Sequence, residues 1–222
     1  GGVFTGLTLS EDTELNLTVP FGKLAIAEGR KFDLNHFNLI LNYPLNLVSG
    51  TFEIGDGSLT IGALSIGEKG EQDEEGRYYA TSTGKLVMTD GGTLYVRGDF
   101  EICSSEASEL TGGVITVGRD FAQYGTCETT GTEYAYGGSF APDEKCETIL
   151  PERGQKVYFE STASRFGTLT IKMLKSTYTF EPENCWITLN DSEFSVAYVL
   201  NGAKDDKLIF VIGHGDMTEL NR

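Results

Sequence analysis

The sequence is poor in several residue types, and each scarcity removes a class of function. Among 222 residues there are 17 Lys and Arg against 33 Asp and Glu, a formal charge of −16. A field of that sign repels phosphate backbones and anionic headgroups, so nucleic-acid binding is not expected. No apolar run approaches the roughly 18 residues of a membrane-spanning helix, and membrane insertion is not expected either. No charged-then-apolar leader stands at Gly1, so any secretion signal is expected to lie outside this sequence. Five prolines are too few for a proline-rich linker, and the 28 glycines follow no G-X-Y period, which excludes collagen.

Site chemistry is equally sparse. The two histidines, His36 and His214, lie far apart, and none of the four cysteines (Cys103, Cys127, Cys146, Cys185) forms a C-x-x-C. Zinc is therefore not expected. The calcium repeat G-G-x-G-x-D-x-U-x and the EF-hand spacing are absent, as are G-x-S-x-G, H-E-x-x-H, the P-loop and G-x-G-x-x-G. Gly55-Asp-Gly57 and Gly213-His-Gly215 are isolated fragments of such words and read as turns. No catalytic residue, metal or cofactor is assigned.

What is present is a repeated word: glycine, any residue, apolar, any residue, apolar. It occurs as Gly22-Lys-Leu-Ala-Ile26, Gly50-Thr-Phe-Glu-Ile54, Gly57-Ser-Leu-Thr-Ile61 and Gly62-Ala-Leu-Ser-Ile66. It returns as Gly84-Lys-Leu-Val-Met88, Gly92-Thr-Leu-Tyr-Val96, Gly113-Val-Ile-Thr-Val117 and Gly167-Thr-Leu-Thr-Ile171. Apolar residues two apart are the mark of a strand with one buried face. The leading glycine suits a corner that needs positive φ or a tight bend. Clusters of these words recur after 21 to 28 residues. The clearest duplication sets Gly91–Phe100 against Gly112–Phe121, both closing on Asp-Phe. A strand-and-turn period of that length predicts an all-β chain, a parallel β-solenoid resembling a β-helix, whose short strands stack coil on coil. A β-sandwich of short hairpins is the alternative.

The solenoid is expected over residues 1–180, with insertions at about 68–83 and 124–147. The stretch Glu68–Arg77, acidic and without apolar residues, is expected to be a solvated loop. Residues 181–222 change character: Val196–Leu200 and Leu208–Ile212 are apolar runs without glycine corners, which predicts a C-terminal cap or terminal strands.

The words Gly84–Thr89, Gly92–Phe100 and Leu110–Val117, with the closing segments Gly154–Ser161 and Ser164–Ile171, resemble glycine-rich repeats in large secreted or surface proteins of Gram-positive bacteria. The resemblance covers about residues 50–180. It implies a stacked solenoid in an extracellular or cell-surface setting rather than a reaction, and it carries no catalytic residue with it.

The expected function is accordingly that of a non-catalytic structural or adhesive module, spacing or presenting a binding surface to a glycan or another surface protein. One alternative is a polysaccharide-binding module acting through exposed tyrosines. Tyr95 points outward if Leu94 and Val96 point in, and Tyr78, Tyr79, Tyr134 and Tyr136 fall in glycine-bearing loops. Another alternative is a small polysaccharide lyase or glycoside hydrolase of β-helix type, which needs only two positioned carboxylates. Asp99 and Asp120 hold equivalent places in the duplication, and their expected role is to cap turn amides. Cys103 and Cys127, 24 residues apart, are a possible disulfide between neighbouring coils.

Overall fold

The computed structural model describes residues 3–15, 22–74, 76–125, 129–130, 133–134, 139–151, 155–161, 164–171, 177–181 and 208–211. Those residues are all-β, with no helix among them. Three larger sheets carry the fold. The long sheet orders nine strands: Val3–Phe4, Gly22–Ile26, Leu45–Ser49, Leu64–Gly67, Phe100–Cys103, Phe121–Gln123, Lys156–Phe159, Thr177–Glu181 and Leu208–Val211. A seven-stranded sheet holds Thr13–Leu15, Asn38–Leu41, Ser58–Ile61, Thr93–Val96, Gly113–Val117, Cys146–Leu150 and Thr168–Ile171. A five-stranded sheet holds Leu7–Thr8, Lys31–Asp33, Thr51–Gly55, Lys85–Met88 and Glu109–Leu110.

Along the chain the strands visit these sheets in a fixed cycle, long, then five-stranded, then seven-stranded, as far as Gly113–Val117. Within each sheet the neighbours run parallel, except for the last pair of the long sheet. The duplicated words meet face to face: Thr93, Leu94, Tyr95 and Val96 pair with Val114, Ile115, Thr116 and Val117, and Phe100 pairs with Phe121. The five-stranded sheet stops at Leu110, and its side is continued by irregular backbone bonds. Asp143 N–H donates to the Leu110 carbonyl at 2.9 Å, and Arg165 N–H to that of Phe140 at 2.7 Å. The parallel order of the long sheet ends on Leu208–Val211, which pairs antiparallel with Thr177–Glu181.

In-register parallel pairing puts like residues in columns. In the seven-stranded sheet one inward column runs Leu39, Leu59, Leu94, Ile115, Thr148, Leu169. In the long sheet another runs Leu45, Leu64, Phe100, Phe121, Val157. These side chains join one core, and each fully buried apolar side chain contributes about 1.5–3 kcal/mol. The Phe121 ring lies 4.8 to 5.7 Å from the rings of Phe100, Phe140, Phe159 and Phe166. Phe32 and Phe52 stack at 4.8 Å in the five-stranded sheet.

The glycine corners serve close approach more than unusual φ. Among the described leading glycines only Gly50 and Gly113 take positive φ. At Gly92 a Cβ would lie 2.3 Å from the Gly55 carbonyl oxygen, far inside contact distance. Successive turns are thus laid backbone on backbone, and any side chain there would push them apart.

The Glu68–Arg77 stretch is not the solvated loop expected from its charge. Lys69–Gln72 and Tyr78–Ala80 form an antiparallel hairpin. Its turn is stapled by Asp73, whose Oδ1 accepts from Arg77 N–H at 2.8 Å and whose Oδ2 accepts from Arg77 Nε at 2.7 Å. Glu71 and Glu74 are exposed, and charge density alone did not reveal the residues that anchor the hairpin. In the second insertion Thr129–Thr130 pairs antiparallel with Glu133–Tyr134, and the seven-stranded sheet resumes at Cys146.

Two polar side chains occupy inward columns. Gln123 is fully bonded: its Nε2 donates to the Tyr124 and Gly125 carbonyls at 2.9 and 3.2 Å. Its Oε1 accepts from Ser161 N–H and Ser164 Oγ, both at 2.9 Å. Thr148 is fully buried between Ile115 and Leu169, and its hydroxyl has no partner. An unpartnered buried hydroxyl costs about 1–3 kcal/mol. Thr148→Val is therefore expected to raise stability by about 1 kcal/mol in denaturant unfolding. A loss of stability would mean that the hydroxyl has a partner.

Candidate binding surface

The first insertion hairpin lies against the outer face of the long sheet, and the alternation of that sheet decides what it meets. Residues flanked by inward partners point outward, giving a column Asn46, Ser65, Glu101, Ala122, Tyr158. Beyond Gln123 the strand bonding continues, with Tyr124 N–H donating to the Ile102 carbonyl at 2.6 Å. Tyr124 therefore stands beside the column, one place further along.

Three tyrosines and a lysine cluster there. The Tyr78 and Tyr124 rings meet edge-on at 5.6 Å, and Tyr124 meets Tyr158 at 5.1 Å. Lys69 Nζ sits 3.8 Å from the Tyr124 ring centre and 3.2 Å from Glu101 Oε1. This combines a cation over an aromatic face with an ion pair. Burial pulls the Lys69 ammonium down, but Glu101 and Tyr124 together outweigh it and leave its pKa raised. Burial raises the Tyr124 phenol, against the opposing charge of Lys69. Lys23 on the same face pairs with Glu68 at the hairpin's base.

Beneath the cluster lies a buried carboxylate. Glu160 is only 7% exposed. Its Oε1 accepts from Tyr78 N–H at 3.0 Å, and its Oε2 accepts from Gly125 N–H. One side chain thus ties the hairpin to the start of the second insertion. Burial pushes the Glu160 carboxyl up, only partly offset by those two amides. Cys103 lies alongside as a free, buried thiol, raised to about 11 by burial and by the Glu160 charge. A thiol held so high is inert as a nucleophile near neutral pH. Cys146 is also free, and burial raises it to about 12.

Next to the tyrosines the outer face opens into a groove of about 380 Å³, lined among others by Glu101, Asp120, Ala122, Tyr124, Lys156 and Tyr158. Asp99 and Asp120 border it and cap amides of the following turns. Asp99 Oδ1 accepts from Asp120 N–H at 3.2 Å, and Asp120 Oδ1 from Lys156 N–H at 2.9 Å. Asp12 does the same for Asn38 N–H at 2.8 Å, and this bond lowers its pKa.

The outer face of the five-stranded sheet is different: its charges pair with one another. Lys31 bridges Glu53 at 2.7 Å and Asp33 at 2.9 Å, and Lys85 meets Glu109 at 2.7 Å. Such exposed pairs are worth little individually. No set of three His, Cys, Asp or Glu side chains that could hold a metal ion occurs among the described residues.

Of the tyrosines singled out from sequence, Tyr78, Tyr79 and Tyr95 do not converge. Tyr78 is half-buried within the cluster, while Tyr79, its neighbour in the hairpin, is 37% exposed. Tyr95 is 41% exposed, but on the seven-stranded sheet. Tyr134 lies in the short strand paired through Thr129; Tyr136, and Cys127 of the possible disulfide, lie outside the described residues. Sequence reading missed Tyr124, Tyr158, Lys69 and Glu160. Tyr158, between inward Val157 and Phe159, follows the rule that placed Tyr95 outward and was discoverable by it. Nothing in the sequence marks Glu160.

No protein-family model, curated protein or solved structure matches this chain.

The Glu160 shift fixes the sign of a pH effect. A carboxyl whose pKa is higher folded than unfolded contributes its stability in full below the unfolded pKa. That contribution is lost as pH rises through the folded pKa. The melting temperature of Glu160→Gln, relative to the wild type, is therefore expected to shift in the variant's favour between about pH 4 and about pH 7. A drift in the opposite direction would show that the two amide bonds outweigh burial.

Proposed function

We propose that the chain is a parallel β-solenoid acting as a non-catalytic structural or adhesive module of a secreted or cell-surface protein, spacing or presenting a binding surface. The observation that carries this reading is the cyclic visit to three parallel sheets with like residues in register. A sandwich of hairpins would pair consecutive strands antiparallel, whereas most pairings here join strands about 20 to 36 residues apart. Such stacking makes a rigid body whose outer faces and insertions are left for recognition. The likeness of the glycine words to repeats of Gram-positive surface proteins supports an extracellular setting. The high negative charge keeps such a body soluble and discourages association at its strand edges.

A second reading, polysaccharide binding, is favoured by the tyrosine cluster on the long sheet. Its aromatic faces and nearby carboxylates have the chemistry of sugar recognition, although only Tyr78 of the cluster was singled out by sequence. A lyase or hydrolase is less well supported. Asp99 and Asp120, the carboxylates that the duplication singles out, each hold a backbone amide of the following turn.

Binding to isolated Gram-positive cell walls, native and protease-treated, tests the module reading, with reducing ends and unsaturated uronates assayed in the supernatant. Retention on the walls with no released sugar is the expected result. Release of either product would make the protein an enzyme and overturn the proposal.

A further inference from the structure

The outer column of the long sheet contains a step. Ala122, a single methyl, stands between Glu101 on one neighbouring strand and Tyr158 on the other. The flanking strands lie two strand spacings apart, about 9.5 Å. A long acid and a ring therefore wall a notch whose floor is Ala122. Tyr124 closes one end beside Tyr158, and Asp120 and Lys156 stand at the other. Glu101 Oε1 bonds Lys69, and Asp120 Oδ1 bonds Lys156 N–H. The second oxygen of each carboxylate has no hydrogen-bond partner among the described residues.

We propose that this notch binds a neutral hexose polymer, with a sugar face laid on Tyr158 and Tyr124 and hydroxyls bonded to Glu101 and Asp120. The inference rests on the polysaccharide-binding reading and gives that reading a site and a ligand charge. Aromatic rings offer the flat apolar surface that the C–H face of a pyranose requires, and carboxylate oxygens accept from its hydroxyls. Charge selects against polyuronates: Asp99, Glu101 and Asp120 outnumber Lys156 in the groove's lining, and although Lys69 pairs with Glu101 and Arg119 with Asp99, the protein as a whole has a formal charge of −16. A basic peptide is disfavoured by the backbone. The floor is a central strand, Phe121–Gln123, already bonded on both sides, so no open edge offers main-chain bonds to a peptide. The volume, about 380 Å³, lies at the lower end for small-ligand sites and suits a short stretch of polymer.

Affinity electrophoresis through gels containing mannan, galactan, laminarin or hydroxyethylcellulose tests this, with polygalacturonate as the anionic comparison and oligolysine as a competitor. Retardation by at least one neutral polymer and none by polygalacturonate is expected. Tyr158→Ala, which removes the wall, and Ala122→Leu, which fills the floor, should each weaken retardation roughly tenfold. Unchanged melting temperatures would show that both variants fold. If the neutral polymer retards both variants as strongly as the wild type, polysaccharide binding stands and the notch is the wrong site. Loss in Tyr95→Ala alone would move the site to the seven-stranded sheet. Retardation by polygalacturonate, competition by oligolysine, or no retardation in any gel would overturn the proposal, while retention on cell walls tests the module reading separately.

Discussion

Backbone stacking in register is the constraint on which everything else depends. Each parallel strand bonds to the strand before and after it in its sheet, so inward residues lie over inward residues except at the register shifts beside Met88 and Ala25. This is why apolar pairs recur two apart, and why phenylalanines meet phenylalanines at Phe32–Phe52 and Phe100–Phe121. It also dictates the glycines. Turns that follow one another at one strand spacing leave no room for a Cβ where carbonyls approach, as at Gly92 over Gly55. The same geometry lets an aspartate on one turn cap an amide on a later one, the arrangement at Asp12, Asp99 and Asp120.

A buried polar residue is costly unless its neighbours supply partners. Gln123 finds four, from its own strand end and from Ser161 and Ser164. Glu160 finds two amides, from segments remote in sequence, and so becomes the joint between hairpin and second insertion. Thr148 finds none. These three cases mark where the repeat was altered: two alterations fasten an insertion or a corner, and the third has no structural compensation.

Much of the architecture was legible because it is periodic. The 21-residue offset between Gly91 and Gly112 reappears as direct pairing of Leu94 with Ile115 and Phe100 with Phe121. Period-two alternation placed Tyr95 outward correctly. The candidate surface was much less legible. Tyr78, Tyr124 and Tyr158 belong to three segments spread over 81 residues, and only the stack and the hairpin docked on it bring their rings together. Acidic composition concealed the hairpin, because its order comes from Asp73, Arg77 and Glu160 acting at specific atoms. Periodicity reveals a scaffold; it carries no information about residues that depart from it.

Distances across the seven-stranded sheet test the stacking most directly. Spin labels introduced as unnatural amino acids at Thr170 and, in turn, at Thr60, Ile40 and Glu14 sample outward positions four, five and six strands apart. In-register parallel stacking predicts separations of about 19, 24 and 29 Å, rising by one strand spacing at each step. Separations that do not rise in equal steps of about 4.8 Å would contradict the stacking and the account built on it.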